Sequence, residues 1–274
     1  MALPNRREKT FVMSISRRQL IQWAGMAASL AIAKGTSAAG VRKLGLIFPP
    51  AGRGVPEEGV AMYGGKIEFV VEGLGLETMT PEGYDSVVDR IGPAAEKLAS
   101  RGAEAVVLMG TSLSFYKGEA FNATLTRRLH EVSGLPSTTM STAVIEGLKS
   151  LKARRVVAAT AYGNEVNGRL RAFLAEHGFE VLAVKGLGIE AIADLARVTQ
   201  PQLVDFGAQV FGSVAKADSI LMSCGGLRTL EILDPLERRC AAPAVSSTPH
   251  ALFAGAKLLG LDGRTPGYGR LLLA

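Results

Sequence analysis

The chain has two cysteines, Cys224 and Cys240, and the first sits where a thiol could do chemistry. Cys224 lies in Ser223-Cys224-Gly225-Gly226, directly behind the apolar run Ile220-Leu221-Met222. That order reads as a buried strand ending in a turn that feeds a helix, where free backbone N–H groups favour negative charge close by. Val106-Val107-Leu108-Met109 runs into Gly110-Thr111-Ser112 in the same way, about one modest α/β domain earlier in the chain. Two equivalent strand ends, one with a thiol and one with a glycine, imply a duplicated fold working with a single cysteine acid/base. A free cysteine is more often a buried packing residue. The flanking Gly-Gly and the matching turn favour the chemical role. Cys240, in Arg238-Arg239-Cys240 before Pro243, reads as a passive residue near a helix end.

The elements that must hold these turns alternate along the chain. Strands are expected at Leu44 to Phe48, Ala105 to Met109, Ser137 to Met140, Val156 to Thr160, Phe179 to Val184, Ser219 to Met222 and Pro243 to Ser246. Between them, helical spacing of apolar residues predicts helices at about 81–100, 119–132, 143–151, 163–177, 201–215 and 251–259. Strands separated by helices over this length mean an α/β fold of parallel sheets flanked by helices. Ligands in such folds collect at the carboxyl ends of strands. Those ends are Pro49-Pro50, Gly110-Thr111-Ser112, Ala161-Tyr162 and Cys224-Gly225-Gly226. Tyr162 could bring a phenol hydroxyl to this cleft, or it could simply cap a sheet edge.

Other chemistries find little support. No two of His130, His177 and His250 share a metal-ligand spacing, so no metal site is expected. Gly73-Leu74-Gly75 lacks the third glycine and following helix of a dinucleotide fingerprint. There is no G-x-S-x-G nucleophile elbow.

The amino-terminal stretch, residues 1–39, reads as a twin-arginine export signal. Ser16-Arg17-Arg18-Gln19-Leu20-Ile21 precedes a mildly apolar run from Trp23 to Ala33, and Ser37-Ala38-Ala39 offers small residues for cleavage. The run falls short of the ~20 residues that span a bilayer. A periplasmic location follows, with the twin-arginine machinery as partner during transport and no stable membrane association afterwards. The leader also carries six cations against Glu8, so most of the formal charge of +6 leaves with it. The remaining near-neutral chain gives no reason to expect nucleic acid as a partner.

Several segments resemble the arylmalonate decarboxylase family. They include Gly73-Leu74-Gly75-Leu76, Thr80-Pro81-Glu82-Gly83-Tyr84-Asp85, Met109-Gly110-Thr111-Ser112-Leu113-Ser114-Phe115-Tyr116 and Thr138-Thr139-Met140-Ser141-Thr142-Ala143-Val144. Ala159-Thr160-Ala161-Tyr162, Ser223-Cys224-Gly225-Gly226-Leu227 and Pro266-Gly267-Tyr268-Gly269-Arg270-Leu271 continue it, so the resemblance runs from about Leu44 to Leu272. It implies two pseudo-symmetric Rossmann-like domains with the active site in the cleft between them. The first would take residues 40–150, completed by 247–274, and the second residues 151–246. In the wider aspartate/glutamate racemase superfamily, racemases carry one cysteine in each half, whereas Gly110 occupies the first of those places here.

The resemblance further implies cofactor-free decarboxylation of a small disubstituted malonate. One carboxylate would be held by Thr111, Ser112, Tyr162 and the N–H groups of Cys224 and Gly225, and would become an enediolate as the other leaves. The departing carboxylate would lie against an apolar wall of Pro49, Leu76, Met79, Leu113, Ile192 and Leu195. Cys224 would protonate one face of the enediolate. Ordinary core packing, or helix capping by Thr111 and Ser112, is the plainer reading of the same positions. The chain departs from the family at Arg53 and Arg228, cations where the familiar enzyme is apolar, and in its leader. Two other functions share these features: an Asp/Glu-type racemase or maleate cis–trans isomerase, which Gly110 disfavours, and an exported carboxylate-binding protein, which would not require the thiol.

Replacing Arg17 and Arg18 together by lysine should trap the unprocessed chain in the cytoplasm. Fractionation and immunoblotting check this, and undiminished mature protein in the periplasm would reject the twin-arginine reading.

Overall fold

Near-continuous apolar runs lay down two parallel sheets in the computed structural model, which describes residues 40–273. The leader expected over residues 1–39 lies outside the described residues. In the first sheet β1 (Arg42–Phe48), β2 (Ile67–Gly73), β3 (Ala105–Leu108) and β4 (Ser137–Thr139) pair in the order β2-β1-β3-β4. In the second, β5 (Arg155–Thr160), β6 (Glu180–Gly186), β7 (Ser219–Ser223) and β8 (Ala244–Ser246) repeat that order as β6-β5-β7-β8. β3 and β7 therefore hold equivalent places, and so do the turns that follow them. Their residues from Ala105 to Leu108 and from Ile220 to Met222 are fully buried, as expected of strands covered on both faces.

The chain reverses its direction of travel across each sheet between the first strand and the third. Loops at such a switch point splay apart and leave a crevice at the carboxyl edge. After β1 comes Pro49-Pro50, after β3 Gly110, after β5 Ala161-Tyr162, and after β7 Cys224. The Ser247–Leu258 helix, which follows the last strand of the second sheet, lies on the first. Its Gly255 approaches that sheet so closely that a β-carbon there would come 2.6 Å from Leu44 Cδ2 and 3.1 Å from Val107 Cγ2.

Several elements were not visible in the periodicity, the five-residue Thr111–Phe115 helix and the 3₁₀ helix at Ile192–Arg197 among them. β2 is interrupted by Glu68 and Glu72, which hides its alternation. The Glu57–Tyr63 and Leu233–Cys240 helices are short and rich in charge. The single helix expected over 81–100 is divided, with Pro81–Val87 and Ile91–Ser100 flanking a 3₁₀ turn at Val88–Arg90. Pro93 supplies the reason: it has no N–H to donate backwards and its ring excludes the preceding carbonyl, so it fits only the first turn of a new helix. Among the described residues, no helix is long and apolar enough to cross a membrane.

Gly186 closes β6 against the turn that carries Tyr162. A β-carbon there would meet the Tyr162 carbonyl oxygen at 2.0 Å and Asn167 Nδ2 at 2.4 Å. Gly186→Ala should therefore cost about 1–3 kcal/mol through backbone displacement. Gly168, exposed on the Asn164–Glu176 helix with nothing within 4 Å of a β-carbon, is the control. There alanine should stabilise by about 0.5–1 kcal/mol. Thermal unfolding of both variants checks the opposite signs.

Candidate active site

Gly110 sets the geometry of the first turn. It caps the short Thr111–Phe115 helix in an extended conformation. A β-carbon on it would come 2.7 Å from Pro49 Cγ and 3.1 Å from Leu113 Cβ, so the turn after β1 leans directly on the turn after β3. The helix is fixed from behind by hydroxyls. Ser114 Oγ donates to the Gly110 carbonyl at 2.8 Å and lies 2.7 Å from Ser141 Oγ, which donates to the Thr111 carbonyl at 2.9 Å.

Ser247 joins this turn to the cysteine turn. Thr111 Oγ1 donates to Ser247 Oγ at 2.8 Å, and the same oxygen accepts the Cys224 N–H at 3.2 Å. Thr248 Oγ1 donates to the Gly225 carbonyl at 3.2 Å and holds the next peptide. The thiol of Cys224 accepts the Gly226 N–H at 3.5 Å and lies 3.9 Å from Met79 Sδ. The Cys224 N–H is thus occupied by a side chain, while the Gly225 N–H has no protein acceptor among the described residues.

A pocket of about 40 Å³ opens between the turns. Pro49, Leu76, Met79, Thr111, Ser112, Ile192, Leu195, Cys224 and Gly225 all line it, which brings together most of the residues singled out in the sequence. Two stand one layer back. Leu113 is fully buried with its Cβ turned towards Gly110, because its place in the helix points it under the Pro49 contact. Tyr162 is buried beside the cysteine turn, its hydroxyl 3.2 Å from Ser223 Oγ and close to Thr111 and Cys224. Arg228 stands outside the pocket and pairs with Glu57 at 2.7 Å. Arg53 is part of the lining, with its guanidinium 5.2 Å above the Phe48 ring.

Sequence reasoning missed Ser247, which looks like any helix-start serine until the fold brings it between the two turns. It also missed Tyr84. That side chain is fully buried, meets the Tyr116 ring edge-on at 5.1 Å, and turns its hydroxyl towards Ser112 without a hydrogen bond of normal geometry among the described residues. Only its helical phase in Pro81–Val87 could have signalled it, and an aromatic at such a phase normally reads as core. Among the described residues, no three His, Cys, Asp or Glu side chains are gathered where they could hold a metal ion.

Burial dominates the electrostatics. It pushes the Cys224 thiol from its ordinary 9.0 up to about 11, against the smaller opposing pulls of the Gly226 N–H, the Arg53 charge, the Leu227 N–H and Tyr162. The thiol is therefore held in its protonated form at neutral pH, despite N–H groups that favour the thiolate. Burial likewise raises Tyr84 and Tyr162, so both phenols remain hydrogen-bond donors. The arrangement is a neutral acid beside a set of donors, suited to delivering a proton and to stabilising negative charge on an oxygen.

Paired parallel sheets of like order, with a thiol at one inner strand end, define a protein of the aspartate/glutamate racemase-like superfamily. The arylmalonate decarboxylase family profile matches residues 44–272. An arylmalonate decarboxylase of Bordetella bronchiseptica is 47% identical over 229 residues, covering 83% of this chain and 95% of that one. A liganded, doubly substituted variant of arylmalonate decarboxylase superposes with a TM-score of 0.82 at 46% identity, over 84% of this chain and 98% of that structure. The maleate isomerase of Pseudomonas putida S16 shares the fold, with a TM-score of 0.80 at 20% identity over 85% of this chain and 98% of its own. The chain belongs to the arylmalonate decarboxylase family, and it is an enzyme of that carboxy-lyase type.

Because folding raises the Cys224 pKa, the thiol's contribution to stability is fully present below its ordinary 9.0 and is lost as pH climbs through about 11. In a Cys240→Ser background, iodoacetamide should alkylate Cys224 of the folded protein with a rate that rises towards pH 11. Peptide mass spectrometry reads that rate, and a midpoint at or below the ordinary thiol value would contradict the burial argument.

Proposed function

We propose that the chain decarboxylates α-substituted arylmalonates to a chiral monocarboxylate, without a cofactor and with Cys224 as the proton donor. The observation that carries this reading is the buried, protonated thiol set beside an array of donors with no second thiol opposite it. The retained carboxylate would sit among Thr111, Ser112 and the unoccupied Gly225 N–H, with Tyr84 and Tyr162 behind them. The Cys224 N–H, held by Ser247, would contribute only if Ser247 released it.

The departing carboxylate would face Pro49, Leu76, Met79, Ile192 and Leu195. The bond from the α-carbon to that carboxylate breaks, CO₂ leaves, and the electron pair passes into the retained carboxylate to form an enediolate. Donors aimed at its oxygens stabilise the developing charge, each by about 3 kcal/mol where it is well placed. The apolar wall solvates the departing anion poorly and the neutral CO₂ well, which favours the forward direction. The Cys224 S–H then gives its proton to the α-carbon, and water returns one proton to the thiolate. The substrate itself carries the electrons throughout, so the step calls for no external electron sink.

Protonation from one thiol on one face gives a single product hand. A two-base racemase would need a second acid/base near Gly110, where Pro49 already fills the space of a β-carbon. The export leader adds a periplasmic site of action to this proposal.

Phenylmalonate incubated with the purified chain should release CO₂ and accumulate phenylacetate. Cys224→Ser should fold normally and lose about 10²–10⁴-fold in kcat, because a hydroxyl is a far weaker acid. Near-normal turnover by that variant would remove Cys224 from the mechanism.

A further inference from the structure

Arg53 is the one charged side chain among the described residues lining the pocket. It follows Pro49-Pro50 at the mouth, is half-buried, and takes part in no hydrogen bond or ion pair among the described residues. The cation–π contact with Phe48 holds its guanidinium in place without neutralising it. The arginine beside it on the rim differs, since Arg228 is already paired with Glu57. The buried acid that feels the Arg53 charge, Glu58, makes no ion pair with it among the described residues. Its Oε1 accepts the N–H groups of Thr229 and Leu230, both at 2.8 Å, and burial raises its carboxyl to about 7.

Arg53 also borders a second, outer cavity of about 220 Å³ that holds Val55, Pro56, Glu57 and Arg228. Arg53 thus lines both the inner pocket and this outer cavity. A substituent on the malonate carbon that reaches from the inner pocket into the outer cavity passes Arg53.

We propose that Arg53 is a specificity-determining residue that selects malonates whose α-substituent ends in an anionic group, with the guanidinium pairing to that group at the pocket mouth. This rests on the decarboxylase reading and adds a substrate class to it. A planar, five-donor guanidinium is suited to a carboxylate, which it can grip through two parallel hydrogen bonds. Pairing at the mouth leaves the reacting carbon to the inner donors. A grip on the departing carboxylate would instead stabilise the anion that must become neutral CO₂.

The test compares para-carboxyphenylmalonate with its para-methyl ester, which has a similar ring but no third charge. The acid-to-ester ratio of kcat/KM should fall about tenfold or more in Arg53→Leu, chiefly through KM, with Arg53→Lys between the two. A ratio unmoved by Arg53→Leu overturns the proposal. So does an equal fall for both substrates, which would assign Arg53 to the carboxylate common to all malonates. An equal rise for both would assign it to the departing group and overturn the proposal as well. If the folded wild type turns over neither compound, the decarboxylase reading fails by itself. Calorimetric titration with para-carboxyphenylacetate and its para-methyl ester then decides the subsite. An acid preference lost in Arg53→Leu supports it, and equal binding of the two overturns it.

Discussion

The Ser247 hydroxyl holds the site together. It takes a hydrogen bond from Thr111 Oγ1 and another from the Cys224 N–H, and so ties the turn of the first sheet to the turn of the second. Ser247 begins the helix that leaves β8 and lies on the first sheet, so this link also records the chain's crossing between the halves. Each half presents an equivalent strand end, and neither alone makes a pocket. The spacing between thiol and donors depends on how these two strand ends are joined.

The surroundings of the joint are selective about water. Leucine, methionine, isoleucine and proline side chains line the pocket together with the hydroxyl-bearing Thr111 and Ser112 and the glycines after Cys224. That lining explains the protonation states. Desolvation outweighs the N–H contacts at Cys224, so the group waits as an acid. A more open pocket would favour thiolate, the form needed to remove a proton rather than to give one. Glycine at position 110 completes the asymmetry, because Pro49 presses into the place where a side chain would stand.

The cationic mouth is set by a separate group of contacts. Glu58 is buried under the loop after Cys224 and accepts two of its backbone N–H groups, which anchors the Glu57–Tyr63 helix against that loop. Arg53 lies just before this helix and rests on Phe48. The outer rim is therefore built from β1 and the segment that follows it, whereas the acid comes from β7. Changes at the rim can alter which substituent is accepted while the inner donors keep their places.

Much of this was legible in the residues themselves. The apolar runs before Gly110 and Cys224 marked two matching strand ends, because a strand covered on both faces must be apolar throughout. Small polar residues after such a run have few structural uses, so the turns stood out as sites. Charge-interrupted β2 and the short polar helices did not show, since their burial comes from neighbours rather than from their own periodicity. Ser247, Tyr84 and the occupied Cys224 N–H were equally hidden: hydrogen-bond partners far apart in sequence are chosen only when the chain closes. The sequence by itself determined that one thiol would stand at a strand end opposite a glycine. The tertiary structure alone decided that this thiol is buried and held as an acid, and that its backbone N–H is joined through Ser247 to the other half, because desolvation and pairing depend on what surrounds a group in space.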